Sequence, residues 1–311
     1  MPVAELSKLL RGPSAPIQKI LITGASGWIG RETIARLQPI LGEEFSHRVT
    51  LAGSRNTNIV VNGRAHQIQG LFDLDPTQEF DFVVHLAYLT QEKVDTLGTY
   101  EFSRQVNRIT SFVHQLCTQT PVKYVFVASS GAADPQVWGN YKSPSKKTYG
   151  RLKRESEALF KSLNYARVEI GRIWSISGSQ LQNHQKYALS DFIIQAKSTG
   201  NIQMHASSLV ERAYVDAGEM MEVFILNLLK GGTGILDSGG FKTSLQDLAR
   251  LVLKEFHPEG ELVLPSEGSF AEKDIYVPNV GQFNELAGHL GVKLSSLEDQ
   301  IRTTAKALSS R

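Results

Sequence analysis

Apolar positions along the chain recur with two alternating periods, one of strands and one of helices. Lys19–Thr23 is a short β-rich run that stops at Gly24, and Trp28–Leu41 follows with Ile29, Ile34, Leu37 and Leu41 at helical spacing. Val49–Ala52 reads as a second strand and Gln67–Leu71 as a weaker third. Asp81–Leu86 is a fourth, apolar nearly throughout, as strands covered on both faces are. Thr99–Cys117 carries Phe102, Val106, Ile109, Val113 and Leu116 on one helical face, and Val122–Ala128 is a fifth strand. Tyr149–Leu163 reads as a helix and Ala166–Ile173 as a sixth strand. Strands alternating with helices predict an α/β fold around a doubly wound parallel sheet.

After Trp174 the rhythm loosens. Gly178–Lys186 is polar, Tyr187–Lys197 and Asp216–Leu229 are helical, 231–240 is rich in glycine, and Thr243–Phe256 and Val280–Leu290 are further helices. The reading divides the chain into an N-terminal arm over 1–16, a dinucleotide-type domain over 17–177, and a smaller lobe over 178–311. Segments near 206–240 are expected to return to the first sheet.

Composition narrows the function classes. The 33 basic and 31 acidic residues leave a net charge of +2 in 311 residues, scattered along the chain, so no basic stripe invites nucleic acid. A single cysteine, Cys117, excludes an intrachain disulfide framework and a thiolate metal cage. The longest apolar runs fall far short of the roughly 20 residues of a membrane helix. Met1–Pro16 has no apolar core of a signal peptide, and a cytoplasmic setting is expected.

Thr23-Gly24-Ala25-Ser26-Gly27-Trp28-Ile29-Gly30 stands between a strand and a helix. In that context Gly24 serves the tight turn, Gly27 lets backbone approach a pyrophosphate, and Gly30 lets helix and strand pack closely. Backbone N–H groups at the helix start then face the phosphates. The second strand runs out into Ser54 and Arg55, and no acidic residue occurs between Glu44 and Asp73. An Asp or Glu there would bond a ribose 2′-OH, whereas the planar fork of Arg55 suits a 2′-phosphate, so the pattern favours NADP over NAD. Asp73 is a candidate for the adenine amino group or, equally, a helix N-cap.

Tyr149 and Lys153 lie four residues apart, on one face if the segment is helical. A free phenol has a pKa near 10, and a neighbouring cation lowers it towards useful acid–base work. Ser129 and Ser130 end the fifth strand, at the carboxyl edge where open α/β sheets place their ligands.

Taken in order, these residues resemble the extended short-chain dehydrogenases/reductases, the NAD-dependent epimerase/dehydratase group that acts on nucleotide-sugars. The resemblance covers Ile17 to about Thr303 and implies a Rossmann-like fold. His85-Leu86-Ala87-Tyr88 is similar to the family's HLAA segment beside the nicotinamide ribose, with Tyr88 in place of the last alanine, and Asn107 resembles the asparagine of its central helix. Arg212-Ala213-Tyr214-Val215-Asp216 is similar to the RDFxHVxD segment, whose arginine meets the sugar-nucleotide diphosphate. The resemblance implies that Ser130 holds the reacting oxygen with Ser129 beside it, that Tyr149 is the acid/base, and that Lys153 binds the nicotinamide ribose. Gly131-Ala132 stands where dehydratases carry an Asp-Glu pair, which argues against removal of water.

The chemistry that remains is hydride transfer with Tyr149 moving the proton. We read an NADP-dependent reductase of a nucleotide-linked keto-sugar, with a 4-epimerase as the alternative. From another class comes a non-catalytic NADP(H)-binding sensor. A homodimer through Thr99–Cys117 and Tyr149–Leu163 is the family's habit. His114, His184 and His205 share no ligand spacing, so no metal is expected. Lys142, Lys146, Lys147, Arg151, Lys153 and Arg154 form the densest basic stretch, read as a solvated face or as a guide for an anionic ligand. Trp138 and Tyr141 either stack on substrate or pin their loop. Trp174, Gln180 and Asn183 follow the sixth strand, where a second lobe would meet substrate.

Overall fold

Pro2–Leu10 (α1) forms a nine-residue helix within the N-terminal arm and buries Leu6 and Leu10. The computed structural model describes residues 2–11, 15–139, 141, 143–182, 187–206, 208–265 and 273–309. Lys142, Asn183 and His184 lie outside the described residues. The chain folds as two compact units. Met1–Ile173, Met221–Leu236 and Leu290–Val292 make the first, and Trp174–Met220, Asp237–His289 and Lys293–Arg311 the second.

In the first unit Ile20–Thr23 (β1) is buried at all four positions and leads through the glycine turn into Trp28–Leu41 (α2). Phe45–Arg48 (α3) is one turn before Val49–Gly53 (β2). Thr57–Val61 (β3) and Arg64–Gly70 (β4) then form an antiparallel hairpin. Asn62 and Gly63 turn it at φ 48 and 75. Both central residues with positive φ are what a two-residue hairpin of matching twist requires. Phe82–His85 (β5) follows, and then Lys93–Gln119 (α4), broken at Gly98, where φ is 76. Tyr124–Ser130 (β6), the short Pro135–Gly139 (α5), Pro144–Lys161 (α6) and Arg167–Ile173 (β7) complete the run. The helix α6 starts five residues before the expected Tyr149, because Ser143 caps it by accepting from the Lys146 N–H and Pro144 opens it.

Strands β4, β2, β1, β5, β6 and β7 are parallel neighbours in that order, and β3 adds an antiparallel edge. This is the doubly wound, Rossmann-like sheet. Leu21, Val83, Val125 and Ile170 of the sheet pack with Val113 and Leu116 of α4 and Phe160 of α6. Each such fully buried side chain contributes about 1.5–3 kcal/mol. Chain order reverses between β1 and β5, so their carboxyl ends, with that of β6, define the ligand edge.

The second unit holds Ser175–Ser177 (β8), Ala188–Thr199 (α7), Ile202–Gln203 (β9) and Leu209–Asp216 (β10). Ala217–Leu229 (α8) belongs to the first unit from Met221 onward, and Gly234–Asp237 (β11) joins the large sheet beside β7. Of the segments near 206–240, β11 is therefore in that sheet and β10 is not. Phe241–Ser244 (β12), Leu245–Phe256 (α9), Leu262–Val263 (β13), Lys273–Tyr276 (β14), Val280–His289 (α10) and Leu297–Ser309 (α11) follow. β10 pairs with β12, β14 and β8, over a core of Phe192, Ile193, Leu248, Val252 and Ile301. No described helix is long and apolar enough to cross a membrane.

Candidate active site

Geometry explains each glycine of the turn after β1. Gly24 adopts φ +69, and a Cβ on it would lie 2.7 Å from the Ala87 nitrogen. On Gly30 a Cβ would lie 2.4 Å from the Gly24 carbonyl oxygen. Gly27 stands at the N-cap of α2 without a side-chain hydrogen bond, so no side chain shields that helix start. Ser26 lies against the end of β2, its Oγ 3.5 Å from where a Cβ of Gly53 would be. Ile29 is half-buried in the first turn of α2, and Trp28 tucks its indole against Glu32, donating at 3.3 Å. A side chain at Gly24 or Gly30 would strike this backbone, so the turn stays tight and its N–H groups at the start of α2 form a cradle that fits a dinucleotide pyrophosphate.

Thr23 fastens the cradle to the end of β5. Its Oγ1 accepts from the Leu86 and Ala87 N–H groups, each at 3.1 Å, and lies 2.8 Å from His85 Nδ1. With two donors already on that oxygen, the hydroxyl proton goes to Nδ1, which assigns the other ring nitrogen as the protonated one. Burial draws the His85 pKa down to about 3, with the Lys153 charge adding to the effect, so the ring is neutral.

Helix α6 brings Tyr149 and Lys153 to the ends of β5 and β6. Gly150 lets it approach: a Cβ there would lie 2.4 Å from the Ala132 carbonyl oxygen. Tyr149 is half-buried, edge-on to Tyr88 at 5.9 Å between centroids and 6.5 Å from Phe102. Lys153 is 4% exposed, and its Nζ donates to the Ala128 carbonyl at 2.9 Å. The same nitrogen lies 3.5 Å from the centroid of the Tyr88 ring and 5.9 Å from that of Tyr149. Burial pulls the Lys153 pKa down to about 7, opposed by the charge of Glu157.

Ser129 and Ser130 divide their roles. Ser130 ends β6 at the ligand edge and accepts from the Ala132 N–H at 3.2 Å. Ser129 turns away, donating to Glu157 at 2.6 Å in a buried network. Arg172 clasps Glu157 through Nε and Nη2, both at 2.9 Å, and reaches Asp134 at 3.0 Å. The network ties α6, β6, β7 and the turn after Ser130 into one block. Neither Glu157 nor Arg172 stands out in the sequence, because the pairing joins residues brought together only by the sheet.

Arg55 and Ser54 are exposed just beyond the end of β2. Asp73 is engaged by Asn56, which donates to it at 3.0 Å and accepts from the Gly70 N–H at 2.8 Å. Asp73 thus closes a turn beside Arg55 and is not the N-cap of a helix. Asn107 is set apart: it is exposed on α4 and lines a depression with Ser111 and Glu155.

In the second unit Arg212 donates to the Asp274 carboxylate at 2.9 Å and to its carbonyl at 2.9 Å, with its guanidinium 5.7 Å from the Tyr276 ring centroid. Tyr276 stacks at 4.5 Å on Trp174, whose indole donates to Asp237 at 2.9 Å. Sequence reasoning missed Asp274 and Tyr276. Their strand β14 is four residues long and exposed at three positions, which leaves no apolar pattern to read. Gln180 is half-buried in the turn after β8.

The chain matches the NAD dependent epimerase/dehydratase family over residues 20–235. The chain belongs to that family. No curated protein matches it in sequence. Among solved structures it is similar to a UDP-N-acetylglucosamine 4-epimerase of Methanobrevibacter ruminantium in complex with UDP-N-acetylmuramic acid, with TM-score 0.75, 16% identity, and coverage of 94% of this chain and 98% of that one. The UDP-glucose 4-epimerase of Thermotoga maritima with UDP-glucose gives TM-score 0.71 at 16% identity, covering 94% and 99%. DesIV, a dTDP-glucose 4,6-dehydratase of Streptomyces venezuelae with NAD and TYD bound, gives 0.67 at 17% identity, covering 94% and 97%. These likenesses show a shared fold.

Features outside the site take their simpler readings. Trp138 donates to the Lys147 carbonyl at 3.0 Å and lies against Gly150 with Arg154 over its ring, so it pins its turn to α6. Tyr141 carries Lys146 over its ring at 5.8 Å. Lys146, Lys147, Arg151 and Arg154 are exposed, as a solvated helix face is, and among the described residues of this stretch only Lys153 turns inward. Cys117 is buried, its thiol pushed up to about 12 by desolvation. His114 lies 3.3 Å from Ser162, and His205 is exposed. Among the described residues no three His, Cys, Asp or Glu side chains gather as a metal set.

Proposed function

We propose that the protein is an NADP-dependent oxidoreductase of a nucleotide-sugar, reducing a keto-sugar. The observation that carries this reading is the convergence of Tyr149, Lys153 and Ser130 at the ligand edge of the sheet that also bears the Gly24–Gly30 cradle. The cradle and the start of α2 would hold the pyrophosphate, Arg55 with Ser54 the adenosine ribose and its 2′-phosphate, and Leu86, Ala87, Tyr88 and Lys153 the nicotinamide half. Asp73 remains assigned to cofactor binding beside the adenosine end, whereas Asn107 lies apart on α4 and is given no part in it. Bound there, the nicotinamide would supply the hydride.

The chain's own residues handle the oxygen and the proton. The Ser130 hydroxyl orients the carbonyl oxygen of the substrate, and the Tyr149 phenol gives it a proton as it gains negative charge. The Lys153 ammonium, one turn along α6, favours the phenolate that remains. Arg212 is the cation we assign to the substrate's diphosphate, with Asp274 holding its planar fork in place. Gly131-Ala132 in place of an acidic pair supports simple reduction over loss of water.

A second reading, the 4-epimerase, is favoured by the two similar structures named as 4-epimerases. An epimerase oxidises and re-reduces one carbon and keeps its cofactor, whereas a reductase draws NADPH from the pool. The test measures NADPH and NADH affinity of the purified wild type and of Arg55→Ala. The wild type is expected to prefer NADPH, and Arg55→Ala to lose roughly tenfold or more for NADPH alone, the size of a charge-assisted hydrogen bond. Equal affinities that do not respond to Arg55, or a stoichiometric dinucleotide that does not exchange, would overturn the NADP-reductase reading.

A further inference from the structure

We propose that Tyr88 is a positioning residue for Lys153, its ring face holding the ammonium against the Ala128 carbonyl so that the remaining donor meets the ligand. This rests on the proposed function for its ligand and goes beyond it in assigning how the lysine is held. The family's HLAA segment has a small residue at this place, which cannot do so; here a ring lies with its centroid 3.5 Å from Nζ. An ammonium taken out of water needs compensation for the hydration it loses. One N–H goes to the Ala128 carbonyl. Glu157, the carboxylate whose charge acts on Lys153, is already engaged by Ser129 and by Arg172. His85, on β5, is neutral, and Tyr149 on α6 presents its ring at the longer distance of 5.9 Å.

After the Ala128 carbonyl at 2.9 Å, the Tyr88 face at 3.5 Å is the compensating negative surface beside the charge. A desolvated cation over an aromatic face gains about 1.4–2 kcal/mol, equivalent to roughly tenfold to thirtyfold in affinity. The Tyr88 hydroxyl is buried and makes no hydrogen bond among the described residues, so the ring face is what acts on the lysine. Tyr88 also braces Tyr149 edge-on, which makes it a common wall for both groups.

The experiment titrates NADPH by fluorescence from mildly acidic to alkaline pH against wild type, Tyr88→Leu, Tyr88→Phe and Tyr88→3,4,5-trifluorophenylalanine. Tyr88→Leu is expected to weaken NADPH about tenfold and to move the alkaline loss of affinity to lower pH, because the ammonium discharges sooner. Tyr88→Phe, which keeps the ring face, should recover most of both changes. The trifluorinated ring keeps the shape, drains the face, and should behave like leucine even if Tyr88→Leu does not fold. If the fluorinated variant matches Tyr88→Phe in affinity and pH dependence, the ring face does not hold Lys153 and the proposal falls. A wild type that binds neither NADPH nor NADH would instead remove the proposed function, and this assignment with it.

Discussion

Tyr149→Phe is expected to fold, bind NADPH as the wild type does, and reduce a nucleotide-linked keto-sugar on the order of 10²–10⁴ times more slowly. The prediction separates packing from chemistry at one atom. A phenyl ring keeps the edge-on contact with Tyr88 at 5.9 Å and the contact with Phe102 at 6.5 Å, so the wall of the site survives. What disappears is the proton donor, while Lys153 keeps its bond to the Ala128 carbonyl. Single-turnover oxidation of NADPH, with nucleotide affinity measured in parallel, reads the two effects separately. Turnover within a few-fold of wild type would remove Tyr149 from the chemistry and leave a protein that only holds its dinucleotide.

The second large effect concerns stability. Arg172→Met should cost about 3–5 kcal/mol, the penalty for leaving a buried charge without its partner. The Glu157 side chain is 6% exposed and would keep only the Ser129 hydroxyl. That is a large share of the roughly 5–15 kcal/mol by which such domains are stable. Urea unfolding of Arg172→Met and of the double variant Arg172→Met, Glu157→Leu checks it. Removing both charges should restore much of the loss, since no charge is then buried alone. A single variant as stable as wild type would mean that the network does not brace α6 against β6 and β7.

The sheet and the cradle were legible because both are local. Strand–helix alternation and the TGxxGxxG spacing need only neighbouring residues, and the glycines fall where a Cβ would strike backbone. The hairpin of Thr57–Val61 and Arg64–Gly70 was also written locally, in Asn62-Gly63 between alternating apolar positions, yet the strand read there covers only Gln67–Leu71. Ser143-Pro144 similarly marked the start of α6. Other features lay beyond sequence patterns altogether. Arg172 meets Glu157 15 positions away and Asp134 38 positions away, and Arg212 meets Asp274 62 positions away. Such pairs exist only after strands have chosen their neighbours, and no periodicity encodes them. The Tyr88–Lys153 contact is intermediate: both residues were singled out, but that a ring would lie over the ammonium follows from α6 approaching β6 at Gly150.

A crystal structure of the wild-type protein grown with NADPH tests the central assignment most directly. The account predicts the pyrophosphate on the N–H groups at the start of α2, the 2′-phosphate on Arg55, and the nicotinamide ribose within hydrogen-bond reach of Lys153 Nζ, with the Tyr149 hydroxyl facing the same ring. A nicotinamide lying away from Tyr149 and Lys153, with the cradle of Gly24 and Gly30 empty, would contradict it.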